Sequence, residues 1–302
     1  SFYTQHGFYE IDDITADSGS ETSILKLVSV PPDLTDDGLM ALNVDTRIEF
    51  AEPNYVVAID ALPNDPMLDQ LWGMHNTGQT GGTADADIDA AEAWDIATGT
   101  SQIVVSIIDT GVDYTHPDLY LNIWLNQGEI PSGFTLVDTN QDGLINFIDL
   151  NHVDNSSYVT DRNATGYIDA GDLLTDQSWS DGLDTDGNGF VDDFVGWDFV
   201  NYDNAPWDDY GHGTHCAGTI GAIGDNGLGV AGVSWDVQIM PVKFLSASGS
   251  GSTEAAIQSV QYSTLMGANL SNNSWGGGGY SQSLLDAIED SADANMLFVA
   301  AA

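Results

Sequence analysis

Two segments carry side chains that could do chemistry together. The first, IVVSIIDTGVDYTHPDL, places Asp109 where an apolar run gives out. A parallel sheet presents functional side chains at such a point, and Thr110 and Gly111 then permit a tight turn. The second, DDYGHGTHCAGTIGA, sets His212 between Gly211 and Gly213, followed by small residues that suit a helix packed closely on a sheet. A carboxylate that orients an imidazole prepares it to act as general base and then general acid. Two other chemistries compete for these residues. A D-T-G tripeptide also serves paired aspartates that share one proton, but that needs a second copy on an all-β scaffold. The sequence has no second copy, and its surroundings read as α/β. A helical zinc pair usually falls one full turn apart around a carboxylate, whereas His212 and His215 are three residues apart.

A third set of chemical residues lies between these two. DTNQDGLINFID begins at Asp138, DRNATGYIDAGD at Asp161 and DTDGNGFVDDFV at Asp184, a repeat of 23 residues. Each fits an oxygen-rich loop around Ca2+, with ligands at its first, third, fifth, seventh, ninth and twelfth residues and glycine at the sixth for the turn. The first loop offers Asp138, Asn140, Asp142, the Leu144 carbonyl, Asn146 and Asp149. The second offers Asp161, Asn163, Thr165, the Tyr167 carbonyl, Asp169 and Asp172, with Thr165 the weaker donor. The third offers Asp184, Asp186, Asn188, the Phe190 carbonyl and Asp192, but has Val195 at its twelfth place, where Asp193 could substitute. An acidic, solvated, disordered insertion is the alternative. Recurrence of the glycine and of an apolar residue at the eighth place, in register, favours calcium.

The elements that must position these groups follow from pattern. Residues 1–60 read as a small α+β unit, with strands in SILKLVSV, RIEF and YVVAI, and ALPNDP (61–66) reads as an exposed boundary. From about residue 85 the chain alternates helix and buried strand. A short helix in DIDAAEAWDIATG should stop at its glycine, and IVVSII, VQIMPVKFL, ANLSNNS and MLFVAA read as strands covered on both faces. Between them one helix would bury Ile257, Val260, Gln261 and Leu265, and the next Leu284, Leu285 and Ile288. The expectation is an α/β fold with a doubly wound, mostly parallel sheet, its site at the carboxyl ends of the strands, interrupted by the acidic insertion at about 127–195.

Composition narrows the partners. With 47 acidic against 4 basic residues, the net charge of −43 disfavours nucleic acid and anionic lipid. The lone Cys216 leaves no intrachain disulfide, which is compatible with export, and no apolar run is long enough to span a bilayer. The chain starts at Ser1 and stops on the apolar LFVAAA, so both ends are expected to be cuts in a longer protein.

Taken together, the DTG segment with HPDL, GHGTHCAG and SNNSWGGGG resemble the subtilase family of serine peptidases, and the likeness covers nearly all of the chain. The resemblance implies that Asp109 orients the imidazole and that His212 is the general base. The family's serine motif, G-T-S-M-A, is absent, and its oxyanion asparagine would fall just past Ala302, so this stretch alone is expected to be inactive. It further implies that Gly249, Ser250 and Gly251 pair with substrate backbone, that Ser274, Trp275 and Gly276 form the opposite wall, and that the segment around Ala301 begins the primary specificity pocket. Asp65, Asp118, Ile223, Asn226, Leu228 and Val230 match the family's strong calcium site. Residues 1–60 resemble its propeptide, an intramolecular inhibitor whose closing strand would be EFAEPNYVVAI, cut near residues 58–64. Cys216 is expected to be a buried structural thiol close to His212. The first two acidic loops resemble dockerin loops, which implies a cohesin-like partner as one possibility. The resulting expectation is a secreted serine endopeptidase precursor acting on polypeptides, with a non-catalytic calcium-binding or docking protein as the alternative.

Overall fold

The computed structural model describes residues 9–13, 26–29, 40, 42–46, 48, 50–52 and 62–301. Two compact units divide the chain, Ser1–Ile59 and Asp60–Ala302. In the first, β1 (Tyr9–Asp13) and β2 (Lys26–Ser29) pair antiparallel, with a bulge between Glu10 and Asp12. The strand expected in YVVAI, most of EFAEPNYVVAI and part of the cut region at 58–64 lie outside the described residues.

The second unit is built on a parallel five-stranded sheet. Its strands are β3 (Gly99–Asp109), β4 (Trp197–Asp198), β5 (Asp236–Lys243), β6 (Leu270–Asn273) and β7 (Leu297–Ala300), in the order β4-β5-β3-β6-β7. The helices are α1 (Ala90–Trp94), α2 (Phe147–Leu150), α3 (Ala170–Thr175), α4 (His212–Gly221), α5 (Thr253–Leu265) and α6 (Gln282–Asp293). They cover both faces, as a parallel sheet requires. Strand alternation decides which residue faces which layer. In β3, Val105 and Ile107 pack with Ala217 of α4, while Ile108 packs with Val260 of α5. Ser106 shares the face of Ile108 and is hydrogen-bonded to Ser263 of α5 at 2.7 Å. Asp109, one step on, is therefore on the α4 side.

Three expectations need correction, two about burial and one about where a helix stops. The face that α5 turns inward is Ala255, Ala256, Ser259, Val260, Tyr262 and Ser263; Leu265 is 59% exposed, Gln261 is exposed and Ile257 only half-buried. Small residues let the helix lie close to the sheet, and the hydroxyls of Ser259 and Ser263 are satisfied by the carbonyls of Ala255 and Ser259 one turn back. α6 follows the expected pattern more loosely, with Leu284, Leu285 and Ile288 half-buried around Ala287 and Ser291. β7 was expected to be covered on both faces, yet Leu297 is 63% and Val299 42% exposed, because the strand pairs only with β6 among the described residues. Lastly, α1 ends at Trp94, and the glycine expected to stop it, Gly99, opens β3 instead.

The acidic insertion belongs to the core. Phe147 and Leu150 of α2, Leu173 of α3, Trp179 and Phe194 are all buried in one cluster with Val105 and Ile107 of the central strand. No helix among the described residues is long and apolar enough to cross a membrane.

Candidate active site

His212 is the first residue of α4, and Asp109 is the last of β3. The contact between them is close because residue 213 has no side chain: a Cβ there would run into the Gly111 carbonyl oxygen and touch the Asp109 Cβ. Asp109 is fully buried, with its oxygens 2.8 and 3.0 Å from His212 Nδ1. Thr110 N–H also donates to Asp109 Oδ1 at 2.7 Å. A carboxylate at Nδ1 fixes that nitrogen as the proton carrier and leaves Nε2 as the acceptor. The imidazole is 44% exposed and Nε2 has no hydrogen bond among the described residues, so the basic nitrogen is available to the cleft.

Asp208 was not singled out from the sequence, yet it holds the pair in place. Its Oδ1 accepts from the Thr110 hydroxyl and from Tyr210 and Gly211 N–H, and its Oδ2 from Thr214 N–H and hydroxyl. Burial opposes its ionisation, but these bonds, led by the Thr214 hydroxyl, outweigh it and hold the carboxyl below its ordinary value. Thr110 in turn accepts from Gly213 N–H at 2.9 Å, so one network spans the end of β3 and the start of α4. The signal in sequence was faint: Asp208 lies four residues before the first helical residue, outside the N-cap position itself, although its type is one that accepts N–H groups at a helix start. Lys243, the register partner of Asp109 on β5, is 1% exposed and donates to the Thr110 and Leu245 carbonyls and to Asp209.

Cys216 sits one turn along α4, with Sγ 3.9 Å from His212 Nδ1. It is half-buried, less enclosed than expected, because the opening turn of α4 lies at the surface. Burial raises its pKa, with neighbouring Asp109 adding in the same direction, so the thiol stays protonated. It thus stands near the Nδ1 nitrogen that Asp109 also meets.

The residues expected to touch substrate flank this pair. Gly249, Ser250 and Gly251 form an exposed turn closed by Ser246 N–H to the Ser250 carbonyl and Gly249 N–H to the Ser246 carbonyl. Gly249 lies beside the ring of Tyr210, and Gly251 against the Phe244 carbonyl. Trp275 stacks edge-on against Phe244 at 4.8 Å, which brings the opposite wall to the same residue. Ser274 is bonded to Asn272 and reaches Cys216, Gly276 is exposed, and Ala301 N–H donates to the Asn273 carbonyl.

The three acidic repeats form turns of one pattern. In each loop the sixth residue, Gly143, Gly166 or Gly189, has a positive φ near 90° and donates its N–H to the first aspartate, Asp138, Asp161 or Asp184. Asn140 and Asn146 direct their amides to Asp142, whose other oxygen accepts Leu144 N–H. In the second loop Thr165 spans Asn163, the Tyr167 carbonyl and Asp169. Asn146 and Asp169 each cap the helix that follows, with Asp149 and Asp172 completing the capping box. The eighth residues, Ile145 and Ile168, do not pair with each other. Gln127 makes two reciprocal bonds to the backbone of Ile145, and Asn151 does the same for Ile168. In the third loop Asn188 reaches Asp186 and Asp193, and Phe190 N–H caps Asn188. Asp192 departs from expectation: its carboxylate turns away from the loop to accept Gly182 N–H, because its backbone adopts a left-handed φ of 54°. Glu129, not foreseen, joins Asp186 and Asp193, with one oxygen of each within 4.8 Å of the others. Burial pushes Asp193 up to about 7.

The other set of residues expected to hold a cation also lies together. Asp118 accepts from the Asn226 amide and Val230 N–H, Ile223 N–H donates to the Asp118 carbonyl, and Leu228 N–H to Asn226. Asp65, buried beside them, accepts Asp225 N–H with one oxygen only, and burial raises its pKa. Among the described residues, the buried carboxylate oxygens with no hydrogen bond are one each on Asp65, Glu129 and Asp138. A donor set of carboxylates, amides and carbonyls that leaves such oxygens over fits a hard cation such as Ca2+.

Residues 100–302 match the model of the subtilase family. "Subtilisin-like protease 1" of Plasmodium berghei is 27% identical over 214 residues, 71% of this chain and 28% of that protein. "Thermophilic serine proteinase" of Bacillus sp. (strain AK1) is 27% identical over 263 residues, 87% of this chain and 45% of that protein. A protease from Pseudoalteromonas arctica PAMC 21717 superposes with a TM-score of 0.46 and 25% identity, covering 80% of this chain and 58% of that one. The chain thus spans less than half the length of these curated relatives. With a matched segment running from the start of β3 through β7, the chain belongs to the subtilase family.

Proposed function

We propose that this chain is the front part of a secreted subtilisin-like serine endopeptidase precursor that hydrolyses polypeptides. The observation that carries the reading is Asp109, fully buried, at 2.8 Å from His212 Nδ1 with Nε2 open to the cleft. In that arrangement Nε2 takes the proton of an incoming serine hydroxyl, Asp109 stabilises the imidazolium, and the same proton then passes to the leaving amine. The serine and the oxyanion asparagine are to come from chain beyond residue 302. Substrate backbone would lie between Gly249–Gly251 and Ser274–Gly276, with Ala301 at the start of the specificity pocket. Residues 1–60 would act as propeptide.

Calcium is part of the same proposal. Asp65 and Asp118, with the 223–230 loop, would hold one ion and the acidic loops others, each ion offsetting buried carboxylates and tying surface segments to the sheet. Against the docking alternative stands the burial of Phe147, Leu150, Ala170 and Leu173, which pack into the chain's own core instead of facing a cohesin-like partner.

A longer chain that includes the missing segment should label with a serine-directed fluorophosphonate and cleave casein, and His212→Ala should abolish turnover. A folded, unlabelled longer protein would sink the proposal.

A further inference from the structure

We infer that the third acidic loop is a split calcium site, closed by Glu129 from outside the loop in place of its own twelfth residue. The inference rests on the calcium reading of the loops and names a ligand that the repeat pattern does not contain. In the first loop, the twelfth residue does a second job: Asp149 Oδ1 accepts the N–H of the second residue, Thr139, at 2.6 Å. In the second loop, Asp172 Oδ1 accepts the N–H groups of Arg162 and Asn163 at 2.6 and 3.2 Å. The third loop has buried, apolar Val195 at that place. Its equivalent N–H groups, Thr185 and Asp186, donate instead to Glu129 Oε1 at 3.0 and 3.2 Å. Glu129 thus occupies the twelfth residue's position in space, from a turn 55 residues before the loop begins.

The other oxygen points to the ligand. Glu129 is 2% exposed, and its Oε2 is buried without any hydrogen bond. Leaving a carboxylate oxygen so placed is unfavourable unless a cation meets it. One carboxylate oxygen each of Glu129, Asp186 and Asp193 lie within 4.8 Å of one another. Asp193 replaces Asp192, whose carboxylate is turned to Gly182. The chemistry is oxygen-only, with several carboxylates and the Asn188 amide close by, which suits Ca2+ rather than a thiophilic or imidazole-seeking metal.

Splitting the site changes what an ion would do there. The first two loops keep all their expected ligands on one short segment. The third would bind together the 126–129 turn, the 184–193 loop and α5, because the Tyr262 hydroxyl donates to Asp193 at 2.6 Å and the Asn126 amide to both Asp186 and Asp193. An ion at this place is a tertiary cross-link.

Calcium titration by calorimetry of the 302-residue chain tests the inference, with Glu129→Gln and Asp149→Asn compared against wild type. Glu129→Gln should remove one ion from the stoichiometry, or weaken one site at least tenfold, while Asp149→Asn leaves that site intact. If wild type takes up no calcium, the calcium reading and this inference fall together. If wild type binds and Glu129→Gln binds identically, only the inference falls. Should Glu129→Gln not fold, wild-type crystals soaked in terbium chloride decide: an anomalous peak about 2.4 Å from a Glu129 oxygen supports the split site. No peak near Glu129, or one held by the loop without it, overturns it.

Discussion

Asp208 provides the most direct test of how the catalytic pair is held. Its two oxygens accept five hydrogen bonds, three from backbone N–H groups and two from hydroxyls, at 9% exposure. Asparagine has the same shape but one acceptor. If its oxygen faces Thr110, Tyr210 and Gly211, its NH2 group faces Thr214 N–H, donor against donor. The Thr214 hydroxyl can turn to accept; the N–H cannot. One orphaned donor and the loss of charge from the remaining bonds amount to about 2–3 kcal/mol, and alanine, which strands all five, to about 4 kcal/mol. Against a typical stability of about 5–15 kcal/mol, either change is measurable. Urea unfolding of the 302-residue chain, followed by far-UV circular dichroism at neutral pH, gives the stability. Proton NMR of the His212 Nδ1–H resonance reports whether the ring is still held on Asp109, and in Asp208→Asn that signal should broaden. A loss under about 0.5 kcal/mol with an unchanged resonance would refute the assigned positioning role.

Gly213→Ala should lose about 1–3 kcal/mol by overpacking, since the new methyl meets the Gly111 carbonyl and neither backbone can yield; denaturation at wild-type stability would contradict the close approach. Lys243→Met should cost about 1–3 kcal/mol, from the stranded Thr110 and Leu245 carbonyls; Asp209 is 43% exposed and stays hydrated, so the loss should not change with salt. The acid limb of stability should depend on Asp208. Its folded pKa lies below the ordinary 3.8, so its contribution is present above that value and is lost as pH falls through the folded pKa. Acid titration of Asp208→Asn should therefore show a shallower fall below about pH 4, and superimposable wild-type and variant curves would count against it.

The sheet and the catalytic pair were legible because their signals are local. An apolar run ending in D-T-G places Asp109 at a strand's carboxyl end, and H-G-T-H with its small residues places His212 where a helix begins against that strand. What the sequence hid depends on contact between distant segments. The inward face of α5 is made of alanine and serine, so a hydrophobicity pattern points to Leu265 instead, although close approach to the sheet favours the small side. Glu129 reads as an ordinary surface glutamate until the third loop folds onto it. Asp192 and Asp193 are adjacent and chemically equal; only the left-handed backbone at 192 decides which of them turns inward. Asp208 was invisible for another reason, since one aspartate among 47 acidic residues carries little information until its five donors are in view.

The amide clamps on Ile145 and Ile168 have a consequence for how the acidic segment responds to ions. The eighth residues of the first two loops make no bond to each other among the described residues. Gln127 and Asn151 plug their backbone edges separately. Asn151 closes the helix that Asn146 and Asp149 of the first loop open, so its hold on Ile168 ties the backbone edge of the second loop to the exit helix of the first; an ion drawn into one loop would be felt by the other through that helix, not through a direct contact between their eighth residues.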